Sequence, residues 1–161
     1  MKGTPVLMSA KTIVAASLLA AGTLATAAPA QAATETPQSV CGNGFRVVKD
    51  GVRTIKDRQG RQLGKVFLLY NRRTGYNCVV TFRTLFDVAY AKIRMDATLT
   101  VQTTTPPLTS SKTTSGVYSR HTKPAKLFAR GLCVKYSGTI QSSDSAWVGK
   151  GGRDEWGNCG R

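Results

Sequence analysis

The side chains most able to do chemistry are few, because this chain of 161 residues has one histidine and four cysteines. His121 lies in a polar, basic stretch, and a role as general acid or base would require a carboxylate or second base close to it in space. In so positive a stretch we interpret His121 as a surface imidazole. The motifs of serine hydrolases, zinc proteases and phosphate-binding loops are missing from the sequence. We therefore predict no catalytic residue, and the sequence leans against an enzyme.

The only adjacent acids are Asp154 and Glu155. On an extended chain neighbouring side chains point to opposite faces, so this pair does not converge as the two carboxylates of a glycosidase must. We interpret the pair as a contribution to solubility in a glycine-rich tail.

The cysteines have the spacing of a disulfide framework. Cys41, Cys78, Cys133 and Cys159 include no close Cys-x-x-Cys pair, which a four-ligand zinc site would need. An even number of cysteines in a small exported chain is typical of disulfides. The sequence therefore predicts two disulfides, no metal site and no cofactor.

Charge is the strongest anomaly in the composition, with 23 Lys and Arg against 8 Asp and Glu, or a net charge of +15. No acid occurs between Asp96 and Asp144, and eight basic residues occur from Lys49 to Arg73. Such patches are typical of proteins that bind nucleic acid or adsorb to anionic wall polymers, while general solvation is the simpler alternative. We predict an anion-binding face made of Arg120, Lys123, Lys126, Arg130 and Lys135.

Strand parity supports part of that face. In the run before Gly131, Lys126, Phe128 and Arg130 share one side of a strand, and the intervening Ala125, Leu127 and Ala129 share the other. The second set can enter the core, which leaves two cations on either side of an aromatic ring.

The first 32 residues read as a secretory signal peptide: a basic start, an apolar stretch and a small-x-small cleavage pattern at Ala30–Ala32. The stretch is too short and too weakly apolar for a membrane anchor. We predict a signal peptide at 1–32, a short linker at 33–39 and a single β domain at 40–161, secreted and without a membrane span in its mature form.

The elements of that domain are predicted to be strands. Asp50-Gly51 indicates a hairpin between two short strands, and residues 66–83 indicate a second hairpin with a loop at 71–75. Alternation over 92–102 predicts a half-buried antiparallel strand, and 84–91 favours a strand with a bulge over a helical turn. The Thr/Ser-rich tract at 102–115 predicts a surface loop, with O-glycosylation as the alternative. The fold class is an all-β sandwich or small barrel.

Four stretches of the sequence resemble the spore-associated protein A family. They are VCGNGFRVV at 40–48, GKVFLLYN at 64–71, TGYNCVVT at 74–81 and ARGLCVKYSGTI at 129–140, with a closing NCG at 158–160. The resemblance implies a secreted, disulfide-bonded β protein at the cell or spore surface, and it implies no enzymatic activity.

We predict sequential pairing, Cys41–Cys78 and Cys133–Cys159, which is one of three possible connectivities.

Together these observations favour a secreted, non-catalytic protein of the cell envelope or spore surface that binds an anionic cell-wall or spore-coat polymer. Nucleic acid is the alternative ligand. Two other functions stay open: a small secreted hydrolase or toxin, such as a nuclease that would depend on His121, and a protease inhibitor that would use the tract around Pro106-Pro107.

Overall fold

Antiparallel strands form nearly all of the fold in the computed structural model, which describes residues 34–84, 93–141 and 147–160. Within these residues one eight-stranded sheet has the order β5-β4-β7-β8-β1-β2-β3-β6. The strands are β1 (Phe45–Lys56), β2 (Gln62–Asn71), β3 (Tyr76–Arg83), β4 (Ile93–Gln102), β5 (Thr109–Tyr118), β6 (Ala125–Phe128), β7 (Val134–Gln141) and β8 (Val148–Gly157). The all-β prediction is confirmed.

The sheet curls into a nearly closed barrel, because the strands at its two edges, β5 and β6, return to each other. Thr114 of β5 donates a hydrogen bond from Oγ1 to the carbonyl of Lys123, just before β6, over 2.7 Å. The described residues from Thr34 onward form one compact unit. The predicted signal peptide at 1–32 and the segment 85–92, which takes in most of the predicted bulged strand, lie outside the described residues.

Apolar side chains of alternating strand positions fill the barrel. On β4 every second residue from Ile93 to Val101 is buried, as the alternation predicted. Tyr136 of β7 is also buried, and its hydroxyl donates to the carbonyl of Asp50 over 2.9 Å. Gly138 lies where a Cβ would come within 2.1 Å of Thr81 Oγ1, so the two facing strands can approach only because this position has no side chain.

The predicted hairpin at Asp50-Gly51 is wrong. Both sides of this dipeptide belong to β1 and pair with the same neighbour, β2, with the register shifting between Val47 and Val52. Asp50 has φ 57° and lies at this register shift, so the predicted turn residue forms a bulge within one long strand. The second predicted hairpin, β2 to β3 through residues 71–75, is confirmed.

The predicted loop at 102–115 is also wrong over much of its length. Thr109–Tyr118 pairs with β4 along ten residue pairs, and hydroxyl–hydroxyl hydrogen bonds join Thr98 to Thr113 and Thr100 to Ser111. Main-chain pairing and these cross-strand contacts form a strand that buries little apolar surface. Only 103–108 remains a connection between strands.

The two disulfides pair as predicted. Cys41–Cys78 attaches a short helix α1 (Pro37–Cys41) to β3, and Cys133–Cys159 attaches the glycine-rich tail near the start of β7. The helix begins inside the predicted linker at 33–39, because Thr36 and Ser39 form a capping box. No helix in the described part of the chain is long and apolar enough to cross a membrane.

Candidate anion-binding site

The loop that joins β2 to β3 holds two arginines at one end of the barrel. Asn71 is buried, and its Oδ1 accepts from the backbone N–H groups of Arg73 and Thr74, both over 3.1 Å. Its Nδ2 donates to the carbonyl of Asn43 over 3.1 Å. Because the Asn71 side chain satisfies the backbone of the loop, Arg72 and Arg73 are free to point into solvent, and both are exposed.

A third arginine is held against the same loop. Arg130, two residues after β6, donates from Nη2 to the carbonyl of Arg73 over 2.8 Å and to that of Arg72 over 3.4 Å. These bonds fix the guanidinium group at the rim of the barrel while its side chain stays exposed.

Two adjoining cavities open at this end, and both are lined by Val48 and Tyr70. The first has a volume of about 530 Å³ and is walled by Arg130 and the tail residues 158–160. The second has a volume of about 540 Å³. Its basic residues, together with Arg130 of the first, define what we call the cationic end: Arg46, Lys49, Arg72, Arg73 and Arg130.

No acidic residue lines either cavity. Four of the five cations are arginines. A planar guanidinium group can donate two parallel hydrogen bonds to two oxygens of one phosphate or carboxylate. Five positive charges near one another repel, and an anion brought between them relieves that repulsion. The arrangement is therefore suited to binding an anion.

A hydrogen-bond network at the surface fixes the tail beside these cavities. Asn158 donates from Nδ2 to the carbonyl of Lys49 over 3.3 Å and accepts from Arg153. The Arg153 guanidinium carbon lies 5.6 Å from the centre of the Tyr136 ring. Burial raises the pKa of the Tyr136 hydroxyl above its usual value of 10.0, although the positive charges of Arg53 and Arg153 oppose the shift.

Of the five predicted anion-binding residues, only Arg130 lines either of these two cavities. Lys126 lies on the outer face of β6, its Nζ 5.2 Å from the centre of the Phe45 ring, and Lys135 lies on β7, 4.5 Å from that of Trp156. Arg120 and Lys123 lie toward the opposite end, where the carbonyl of Arg120 accepts from the N–H of Arg83 at the end of β3. The structure does not bring the five together.

The predicted parity around Arg130 agrees with the burial of most of these residues. Ala125 and Ala129 are buried, Leu127 is half-buried, and Phe128 is 53% exposed. Four residues of the cationic end were not predicted as site residues: Arg46, Lys49, Arg72 and Arg73. The signal that could have identified most of them was the dense run of basic residues from Lys49 to Arg73, which includes the loop of the predicted hairpin.

His121 has the carboxylate partner that the sequence could not identify. Its Nε2 lies 3.0 Å from Oε2 of Glu35, which is 86 residues away in the chain, and its Nδ1 lies 2.8 Å from the carbonyl of Thr122. A carbonyl oxygen only accepts, so Nδ1 carries the hydrogen of that bond. Both ring nitrogens of His121 therefore have a hydrogen-bond partner.

Among the described residues, no group of three or more His, Cys, Asp or Glu side chains could hold a metal ion.

Comparison with known proteins relates most of the chain to a spore-associated protein. The chain is 32% identical over 139 residues to spore-associated protein A of Streptomyces coelicolor, an alignment that covers 80% of this chain and 77% of that protein. No family model matches the chain, and no solved structure matches it. At this identity and coverage, the chain belongs to the spore-associated protein A family.

Proposed function

We propose that this protein is secreted, associates with the cell or spore surface without catalytic activity, and binds an anionic polymer at the cationic end. The observation that carries the proposal is the pair of adjoining cavities lined by five cations and no acid. The name of the Streptomyces relative suggests association with spores, and the two disulfides suggest an extracellular or surface location.

The cations of the site are distributed as an extended ligand would require. They belong to β1, to the loop after β2 and to the segment after β6, and they border two cavities rather than one. A single small anion would occupy one cavity. A polymer with repeated negative charges can occupy both, and each additional contact releases counterions and strengthens binding at low salt.

Retention on immobilised poly(glycerol phosphate) tests the proposal. Two double variants change the net charge equally: Arg72→Glu with Arg73→Glu at the cationic end, and Arg58→Glu with Arg94→Glu, which are exposed and line neither cavity. We expect the first pair to elute at clearly lower salt than the second. The slope of log affinity against log salt should fall by about 0.7–0.9 for each lost phosphate contact. Equal elution of both pairs would mean that the charge only solvates the protein.

A nuclease would depend on His121, and the Glu35 contact gives that alternative a specific basis. The imidazole is only 19% exposed, and each ring nitrogen already has a hydrogen-bond partner, which disfavours a base that must take a proton from substrate. Cleavage of RNA or DNA by the purified protein, abolished by His121→Ala, would replace the non-catalytic proposal.

A further inference from the structure

Two exposed aromatic side chains lie next to the cationic end. Tyr76 and Phe128 are paired neighbours on β3 and β6, and they are 42% and 53% exposed. Their ring centres are 5.8 Å apart and their planes meet at 77°. Both share the outer face of the sheet with Cys78 and Lys126, so the rings point away from the barrel interior.

Gly75 shows how closely this pair adjoins the arginines. It has φ 77°, and a Cβ built on it would lie 2.8 Å from Cε2 of Phe128 and 2.8 Å from Nε of Arg130. Cε2 of Phe128 and Nε of Arg130 are therefore no more than twice 2.8 Å apart. Arg130 in turn donates to the carbonyls of Arg72 and Arg73, so the aromatic pair, Arg130 and the arginine loop form one continuous surface.

We propose that the Tyr76–Phe128 pair binds the sugar ring of a glycosylated phosphate polymer whose phosphate groups contact the arginines of the cationic end. This proposal rests on the proposed function and names the class of polymer. Aromatic rings attract the C–H groups of a sugar, because the ring face carries partial negative charge. The adjacent guanidinium groups supply the charge complementarity that a phosphate beside the sugar requires.

The angle between the rings favours a sugar over a nucleic acid base. Two rings at 77° form a corner with two walls. A flat base can stack on only one wall, whereas the puckered ring of a sugar presents C–H groups in several directions and contacts both. Single-stranded nucleic acid is bound on aromatic platforms beside a positive groove, so it is the competing ligand that the experiment must include.

The experiment compares three polymers of similar length: poly(glycerol phosphate) that carries glucosyl groups, the same polymer without them, and oligothymidine. We expect the wild-type protein to bind the glucosylated polymer about tenfold more tightly than the bare one. Phe128→Ala should remove that preference and leave affinity for the bare polymer and the salt slope unchanged. Val117→Ala, an exposed apolar residue on β5, is the matched control and should keep the preference.

Each result separates this inference from the proposed function. Equal binding of both glycerol phosphate polymers, unchanged by Phe128→Ala, would overturn the sugar site while anionic binding stands. Tighter binding of oligothymidine that depends on Phe128 would overturn it in favour of nucleic acid. Failure to bind any of the three polymers at low salt would overturn the proposed function itself. If Phe128→Ala does not fold, Tyr76→Ala tests the other wall, and Phe128→Tyr should retain the preference.

Discussion

The two ends of the barrel differ in whether their basic side chains contact carboxylates. Around the turn at 57–61, where β1 ends and β2 begins, Arg61 lies 2.6 Å from the carboxylate of Asp57. His121 meets Glu35 at the same end, near the end of β3. At the cationic end, none of the ion pairs found among the described residues includes a cavity residue. The loop there orders its backbone with the neutral amide of Asn71 instead of a carboxylate.

The difference between the two ends is relevant to the role of the net positive charge, which can serve solubility or ligand binding. Charge that only keeps a protein soluble is expected to mix with acids and to avoid repulsion where it can. Here Asp57 and Glu35 contact Arg61 and His121 at one end, while every charged residue that lines the cavities at the other end is a cation. This difference supports the proposal that the cationic end binds an external anion.

The largest expected effect comes from freeing the tail that walls the first cavity. Cys133→Ala with Cys159→Ala removes a cross-link across 26 residues, which costs about 3.5 kcal/mol in the free energy of unfolding by the chain-entropy model. Because residues 158–160 line the cavity, polymer affinity should fall as well. Thermal unfolding and column retention, the latter well below the unfolding temperature, measure the two effects.

The other disulfide is the control. Cys41→Ala with Cys78→Ala removes a cross-link across 37 residues, and neither cysteine lines a cavity. We expect a loss of stability at least as large, with polymer affinity retained. A comparable loss of affinity in both pairs would mean that the tail has no specific role in binding.

Two glycines with the same backbone conformation sharpen the comparison of the ends. Gly75 and Gly60 have φ 77° and 79°, so alanine at either position costs about 1–2 kcal/mol. A Cβ at Gly60 would meet nothing within 4 Å, whereas one at Gly75 would displace Phe128 and Arg130. Chemical denaturation should therefore show a lower free energy of unfolding in both variants, and the decrease should be larger for Gly75→Ala. Polymer affinity should fall only in Gly75→Ala, and a similar fall in Gly60→Ala would contradict this explanation.

The sequence predicted most of the local structure and little of the site, for a physical reason. Alternation of apolar residues identifies which face of a strand is buried, so β4 and the parity around Phe128 were predictable. It does not tell where a strand lies around the barrel, and Lys135 of β7 was therefore predicted on one face with Lys126 and Arg130, although the strand order places β7 away from β6. The bulge at Asp50 was misread because an Asp-Gly dipeptide suits a hairpin turn and a bulge equally.

Asp57 gives the opposite end a pH dependence. Burial raises the pKa of its carboxyl, but hydrogen bonds from Arg61 and the backbone of Gln59 outweigh that effect and hold the pKa below 3.8. A lowered pKa in the folded state contributes stability above pH 3.8, and this contribution is lost as pH falls through the folded-state value. Asp57→Asn should lower the unfolding temperature at pH 7 and flatten its decline below about pH 4. Polymer retention at pH 7 should not change, and Glu155→Gln, an exposed acid, should change neither property.

The smallest expected effect distinguishes polymer binding that depends on the net charge of the protein from binding that depends on charge at the cationic end. Glu35→Gln breaks the pair with His121, whose members are 54% and 19% exposed, so we expect a loss of about 0.5 kcal/mol or less in the free energy of unfolding. The substitution also raises the net charge by one, as does Asp50→Asn, which adjoins the cavity residue Lys49. If binding occurs at the cationic end, Asp50→Asn should raise the salt concentration needed for elution, since it removes a negative charge beside the site. Glu35→Gln should leave that concentration nearly unchanged, because it acts at the other end of the barrel. An equal rise in both variants would show that the polymer responds to the whole charge of the protein.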